Sequence, residues 1–117
     1  MKTRAVDVIV QRLCGEFTGA AKIDYIGFWE IVAAVAKWNP QATGSECADV
    51  TLAVSRCMID RGLRAFTFVG GKPPPIFWKP LTTDETIDRI RKEWGLLHGK
   101  SVGLGDVCWF AGPADLG

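Results

Sequence analysis

The chain has 117 residues, of which 48% are hydrophobic and 23% charged, with a formal net charge of +1. This composition excludes a disordered polymer, and the length supports one domain whose core needs no metal or disulfide staples. Near-neutral charge argues against a protein that lives by non-specific phosphate contacts, because counterion release scales with the phosphates neutralised.

Residues 1–117 read as a single domain with an ordered core from about 4 to 110. Val6, Ile9, Val10 and Leu13 recur at helical spacing, which predicts a helix over Arg4–Leu13, with Gly15 and Gly19 framing a break. Asp24 is placed to cap a second helix running to Trp38, and Asn39-Pro40 ends it. Thr43-Gly-Ser-Glu46 has capping-box spacing and opens a third helix to about Arg61, with Gly62 as its stop. Leu63–Val69 then changes to strand composition. Both of its faces are apolar, which predicts one face covered by helices and the other partly exposed.

Gly70-Gly71-Lys72 predicts a turn, and Pro73-Pro74-Pro75 holds the following residues extended. Ile76–Trp78 can return as a short edge strand, after which Pro80 blocks further pairing. Thr82-Thr-Asp-Glu85 is a second capping box, opening a fourth helix to about Leu97 with Ile87, Ile90, Trp94 and Leu97 on its apolar stripe. Glu85–Arg89 and Asp88–Lys92 have ion-pair spacing on that helix. Gly99–Gly105 reads as a connector, Val107–Phe110 as a final strand and Ala111–Gly117 as a tail. The whole predicts an α+β fold: three N-terminal helices, a small antiparallel sheet and one further helix.

No motif names a reaction. Gly99-Lys100-Ser101 lacks the earlier glycine of a phosphate-binding loop, because position 94 is Trp. Gly103-x-Gly105 fails the dinucleotide pattern at Cys108. Cys14, Cys47, Cys57 and Cys108 form no C-x-x-C pair, and with His98 as the single histidine no zinc cluster arises. Cys47 and Cys57 lie about 15 Å apart on one helix, too far to bridge. The thiols therefore read as small buried hydrophobes. No catalytic residue, metal or cofactor is expected. The start has no apolar run long enough for a signal peptide and no segment reaches the ~20 residues of a membrane span, so a reduced cytoplasmic protein is the expectation.

Five tryptophans are hard to hide in so small a domain. Trp94 shares its helical stripe with Ile87 and Ile90 and reads as core. Phe77 and Trp78 lie in a proline-bounded extended segment on opposite sides of the chain, so at least one ring should face outward. They form the expected partner-binding patch, with Lys72 and Lys79 as a polar rim. The leading expectation is a non-catalytic protein-interaction module that binds a protein partner or a second copy of itself. The alternative is a DNA-binding regulator using Arg56, Arg61, Arg64 and Lys72. Against it, Ser45, Glu46 and Asp49 would face the groove from the third helix, placing carboxylates towards phosphates. A small-ligand binder or enzyme would need a pocket that sequence does not reveal.

The pattern Ile87-x-x-Ile90-x-x-x-Trp94…Gly105-Asp-Val-Cys-Trp-Phe110, with the helix–glycine–strand unit before it, resembles small single-domain bacterial proteins with a winged-helix-like α+β core. The resemblance covers roughly residues 24–110 and rests on packing motifs, so it implies a fold and no activity. Some stand-alone bacterial proteins of this size are toxin-neutralising or mobile-element accessory proteins, which implies an inhibitor, immunity-type or accessory role.

Overall fold

Local signals and long-range pairing divide the work of specifying this chain. The computed structural model describes residues 2–68, 72, 74–79 and 82–112. The expected turn at Gly70-Gly71, the stop at Pro80 and the tail from Pro113 onward lie outside those residues. Within them the order is α1 (Lys2–Ala20), β1 (Ile26–Gly27), α2 (Phe28–Trp38), α3 (Gly44–Asp60), β2 (Arg64–Phe68), β3 (Pro75–Phe77), α4 (Thr83–Gly95) and β4 (Trp109–Ala111). The fold is α+β, with four helices and one antiparallel sheet in the order β1-β4-β2-β3.

Both capping boxes form. Thr43 Oγ1 accepts from the Glu46 N–H at 3.1 Å while Glu46 Oε1 accepts from the Thr43 N–H at 3.0 Å. Thr82 and Glu85 repeat the arrangement at α4. Gly62, at φ 102°, supplies the left-handed turn after α3 that a side chain would resist.

Two helix boundaries differ from expectation. α1 does not break at Gly15 or Gly19 but runs to Ala20. A lone helical glycine costs only about 1 kcal/mol, and buried Cys14 with part-buried Phe17 carries the packed stripe through both. α2 begins at Phe28, with Gly27 rather than Asp24 at its cap. Glu30 Oε2 accepts from the Gly27 N–H at 2.7 Å, and Asp24 instead accepts from the Tyr25 N–H. The residues between are drawn into the sheet as β1, a strand the sequence reading lacks. The Phe28 N–H continues that pairing to the Cys108 carbonyl at 3.0 Å.

The main core joins the helices to one face of the sheet. Ile9, Leu13, Ile31, Val35, Val54, Met58 and Ile90 pack in one cluster with Ile26, Ala65, Trp78 and Phe110. Trp94 lies against this core, edge-on to Phe28 at 5.0 Å. Ahead of β4, Val107 adopts φ 68° and the Cys108 N–H reaches back to the Asp106 carbonyl at 2.9 Å. This is a γ-turn at a β-branched residue, a conformation such side chains disfavour.

Candidate functional site

Strand register sorts the sheet side chains into two sets. Gly27 pairs with Trp109, Trp109 with Phe66, and Phe66 with Phe77, so these four share one face. The adjacent row, Ile26–Phe110–Ala65, faces the helices. The Trp78 N–H donates to the Ala65 carbonyl at 3.0 Å and extends that inner row by one residue.

The outer face is aromatic. Tyr25 stands edge-on to Phe66 at 4.7 Å, Phe66 meets Phe68 at 5.2 Å and Phe77 at 5.3 Å, and Trp109 contacts Phe68 at 5.7 Å. Trp29, from the first turn of α2, packs edge-to-face on Trp109 at 5.2 Å. Gly27 makes that possible: a Cβ there would lie 1.6 Å from Trp29 Cζ3. Phe66 is fully buried yet stands outside the main core cluster, enclosed by its aromatic neighbours. The other five rings are each part-exposed. Arg64 extends the surface, its guanidinium 5.1 Å from the Phe77 ring centre.

The expected partner patch is redistributed. Phe77 belongs to the aromatic face and is part-exposed, and Lys72 and Lys79 are exposed. Trp78 is not available on the surface: it is 5% exposed, because strand alternation turns it towards the helices. The Arg89 guanidinium lies 3.9 Å from its ring centre, and its indole N–H has no hydrogen-bond partner among the described residues. Ile76, two residues before Trp78 and on the same side of the strand, is the exposed apolar residue of β3. The arrangement of Tyr25 and Trp29 around a two-residue strand was the part sequence reasoning missed. The alternation Arg64-x-Phe66-x-Phe68 was its one visible signal.

The residues of the nucleic-acid alternative are not gathered on one surface. Arg56 and Arg61 line a cleft of about 550 Å³ between α1, α3 and α4, whereas Arg64 sits on the sheet. Arg56 is paired with Asp84, Arg61 donates to Gln11, and Arg64 donates to the Trp78 carbonyl. Arg91 shares the cleft, together with Asp49, Asp60 and the Cys57 side chain. The ion pairs expected along α4 do not form among the described residues: Glu85 is held by its capping box, and Arg89 is drawn over Trp78.

His98 is exposed after α4, at φ 51°. Among the described residues no group of three His, Cys, Asp or Glu side chains could hold a metal ion, and no helix is long and apolar enough to cross a membrane. Burial pushes the Cys108 thiol well above its usual range. Comparison with protein-family models, curated proteins and solved structures gives no match to this chain.

Proposed function

We propose that the chain is a non-catalytic protein-interaction module, of inhibitor, immunity or accessory type, acting in the cytoplasm and docking its partner on the aromatic face of the sheet. One observation carries this reading: six rings occupy a sheet face to which the described helices contribute only Trp29. Aromatic side chains concentrate at interface centres because they remove much apolar surface from water at little conformational cost. The α+β frame beneath is read as winged-helix-like, with β2 and β3 as the wing.

The face has a charge polarity. Arg64, Lys72 and Lys79 belong to or flank the β2–β3 side, while Asp24 and Glu30 flank β1 at the other end. A two-fold axis would bring opposite ends of two copies together, so a homodimer is the form to examine first.

Sedimentation velocity across a concentration series tests it. The wild type is expected to associate, and Phe68→Ser or Trp29→Ser to remain monomeric with unchanged circular dichroism. A wild type that stays monomeric rejects the homodimer. The face itself is then tested by affinity capture, where equal recovery of the same partner by wild type and Phe68→Ser rejects it. Salt-dependent retardation of duplex DNA, lost on Arg56→Ala with Arg61→Ala, would favour the DNA-binding regulator instead.

A further inference from the structure

The β1 corner of the sheet holds an open cavity of about 510 Å³ whose walls combine rings with negative charge. Tyr25, Trp29 and Trp109 line it together with the carboxylates of Asp24 and Glu30, and no lysine or arginine among the described residues does so. The short strand assembles it. Pairing of Gly27 with Trp109 sets that ring between Tyr25, which precedes β1, and Trp29, which follows it.

The rings stand at steep angles to one another. Trp29 meets Trp109 edge-on, with centres 5.2 Å and planes 79° apart. Trp109 lies nearly parallel to Phe66, at 18°, and Tyr25 is inclined at 68° to that same Phe66 ring. Tyr25 and Trp29 are therefore both steeply inclined to Trp109, and all three rings are part-exposed. The carboxylates are fixed by backbone donors. Glu30 Oε2 accepts from the Gly27 N–H at 2.7 Å, and Asp24 Oδ1 accepts from the Tyr25 N–H at 2.8 Å, which leaves each with a spare oxygen. Neither takes part in an ion pair among the described residues, so the cavity keeps its negative charge.

This combination narrows the occupant. An aromatic face attracts a cation through the ring quadrupole, most strongly where the cation sheds its water. A quaternary ammonium is weakly hydrated and offers methyl groups to the rings. A primary ammonium holds its water tightly, and a metal ion of this charge class asks for a full set of oxygen ligands. Two carboxylates also repel a ligand that carries its own carboxylate or phosphate. A net-cationic head therefore fits better than a zwitterionic one.

We propose that this corner binds a small, net-cationic quaternary ammonium compound of the choline class. The methylated head lies among Tyr25, Trp29 and Trp109, and Asp24 and Glu30 balance its charge. One chain supplies every wall, so the site needs no partner. It shares Trp29 and Trp109 with the docking face without depending on it. Ligand binding is read by fluorescence and association by sedimentation, and either idea can fail alone.

The test titrates the full-length protein with choline chloride, against sodium chloride of equal ionic strength, and follows tryptophan fluorescence. A saturable quench is expected, because the cation sits against Trp29 and Trp109. The neutral isostere of choline, in which a tert-butyl group replaces the trimethylammonium, should bind about tenfold more weakly. Glycine betaine should bind several-fold more weakly. Trp29→Leu should weaken choline about tenfold. Glu30→Gln, whose amide oxygen can still accept from the Gly27 N–H, should weaken choline several-fold while leaving the melting temperature and the neutral isostere unaffected. If Trp29→Leu does not fold, Glu30→Gln and the ligand series decide. No saturable quench, or equal binding of choline and its neutral isostere, overturns the proposal. Equal binding of n-butylammonium overturns the quaternary head in favour of a lysine side chain, and equal binding of betaine overturns the role of the carboxylates.

Discussion

The two faces of the sheet are built from the same strands but enclosed in different ways. On the inner face Ile26, Ala65, Trp78 and Phe110 interlock with side chains of the helices. On the outer face Phe66 is enclosed by other rings, at 4.7 to 6.4 Å between centres. Phe66 and Phe110 are equally inaccessible, both at 0% exposure, so burial alone does not tell them apart. What differs is the surrounding material: interdigitated aliphatic side chains on one side, mutually shielding flat rings on the other. A face of the second kind can exchange part of its water-facing edge for a partner without dismantling the core.

The contrast is open to measurement. Phe110→Ala should have the largest effect, a loss of about 3–5 kcal/mol in urea unfolding, because the helices above it leave a sealed cavity. Phe66→Ala should cost less, about 2–3 kcal/mol, because the rings that enclose it are themselves part-exposed and can relax into the gap. Equal losses would make the faces equivalent cores and remove the distinction. Gly27→Ala should come next, at about 1–2 kcal/mol. It forces the Trp29 ring off the strand, so tryptophan fluorescence should shift to the red and association should weaken together.

The inner side should also show an alkaline weakness that the outer side lacks. Burial raises Cys108, and burial with Cys57 raises Cys14 to about 11. Unfolded thiols ionise near pH 8.5 while these two keep their protons, so the unfolded state binds fewer protons above that pH. Their contribution is complete below about pH 8.5 and lost as pH rises towards the folded values, at up to about 1.4 kcal/mol per pH unit for each thiol. Urea midpoints between pH 8 and 10 should fall, and Cys108→Ala should make the fall shallower. An unchanged slope would mean that burial does not hold that proton.

The fold was legible where its signals are local. Thr43, Glu46, Thr82 and Glu85 announced two helix starts because a capping box is satisfied within four residues. The alternation Arg64–Phe68 announced a strand with two apolar faces. What depended on distant partners was hidden. Ile26-Gly27 carries no strand pattern of its own and becomes β1 only because β4 pairs with it. For the same reason the local sequence points to Asp24 as a helix cap and does not place Tyr25 beside Phe66 or Trp29 beside Trp109. The placement of the two rings in the expected partner patch was half legible. Phe77 and Trp78 do point to opposite sides, but which side the helices cover is decided by the inner row that Trp78 joins.

The position of β4 carries a consequence for how the polypeptide comes into being. β4 is the last of the described strands, yet it lies between β1 and β2. A nascent chain emerging from the ribosome can assemble its first three helices and the β2–β3 hairpin, but two strand edges stay unzipped until Trp109–Ala111 arrive. A truncation before Trp109 would leave Trp29 and Phe66 without the ring that links them, and two bare edges free to recruit a neighbouring chain.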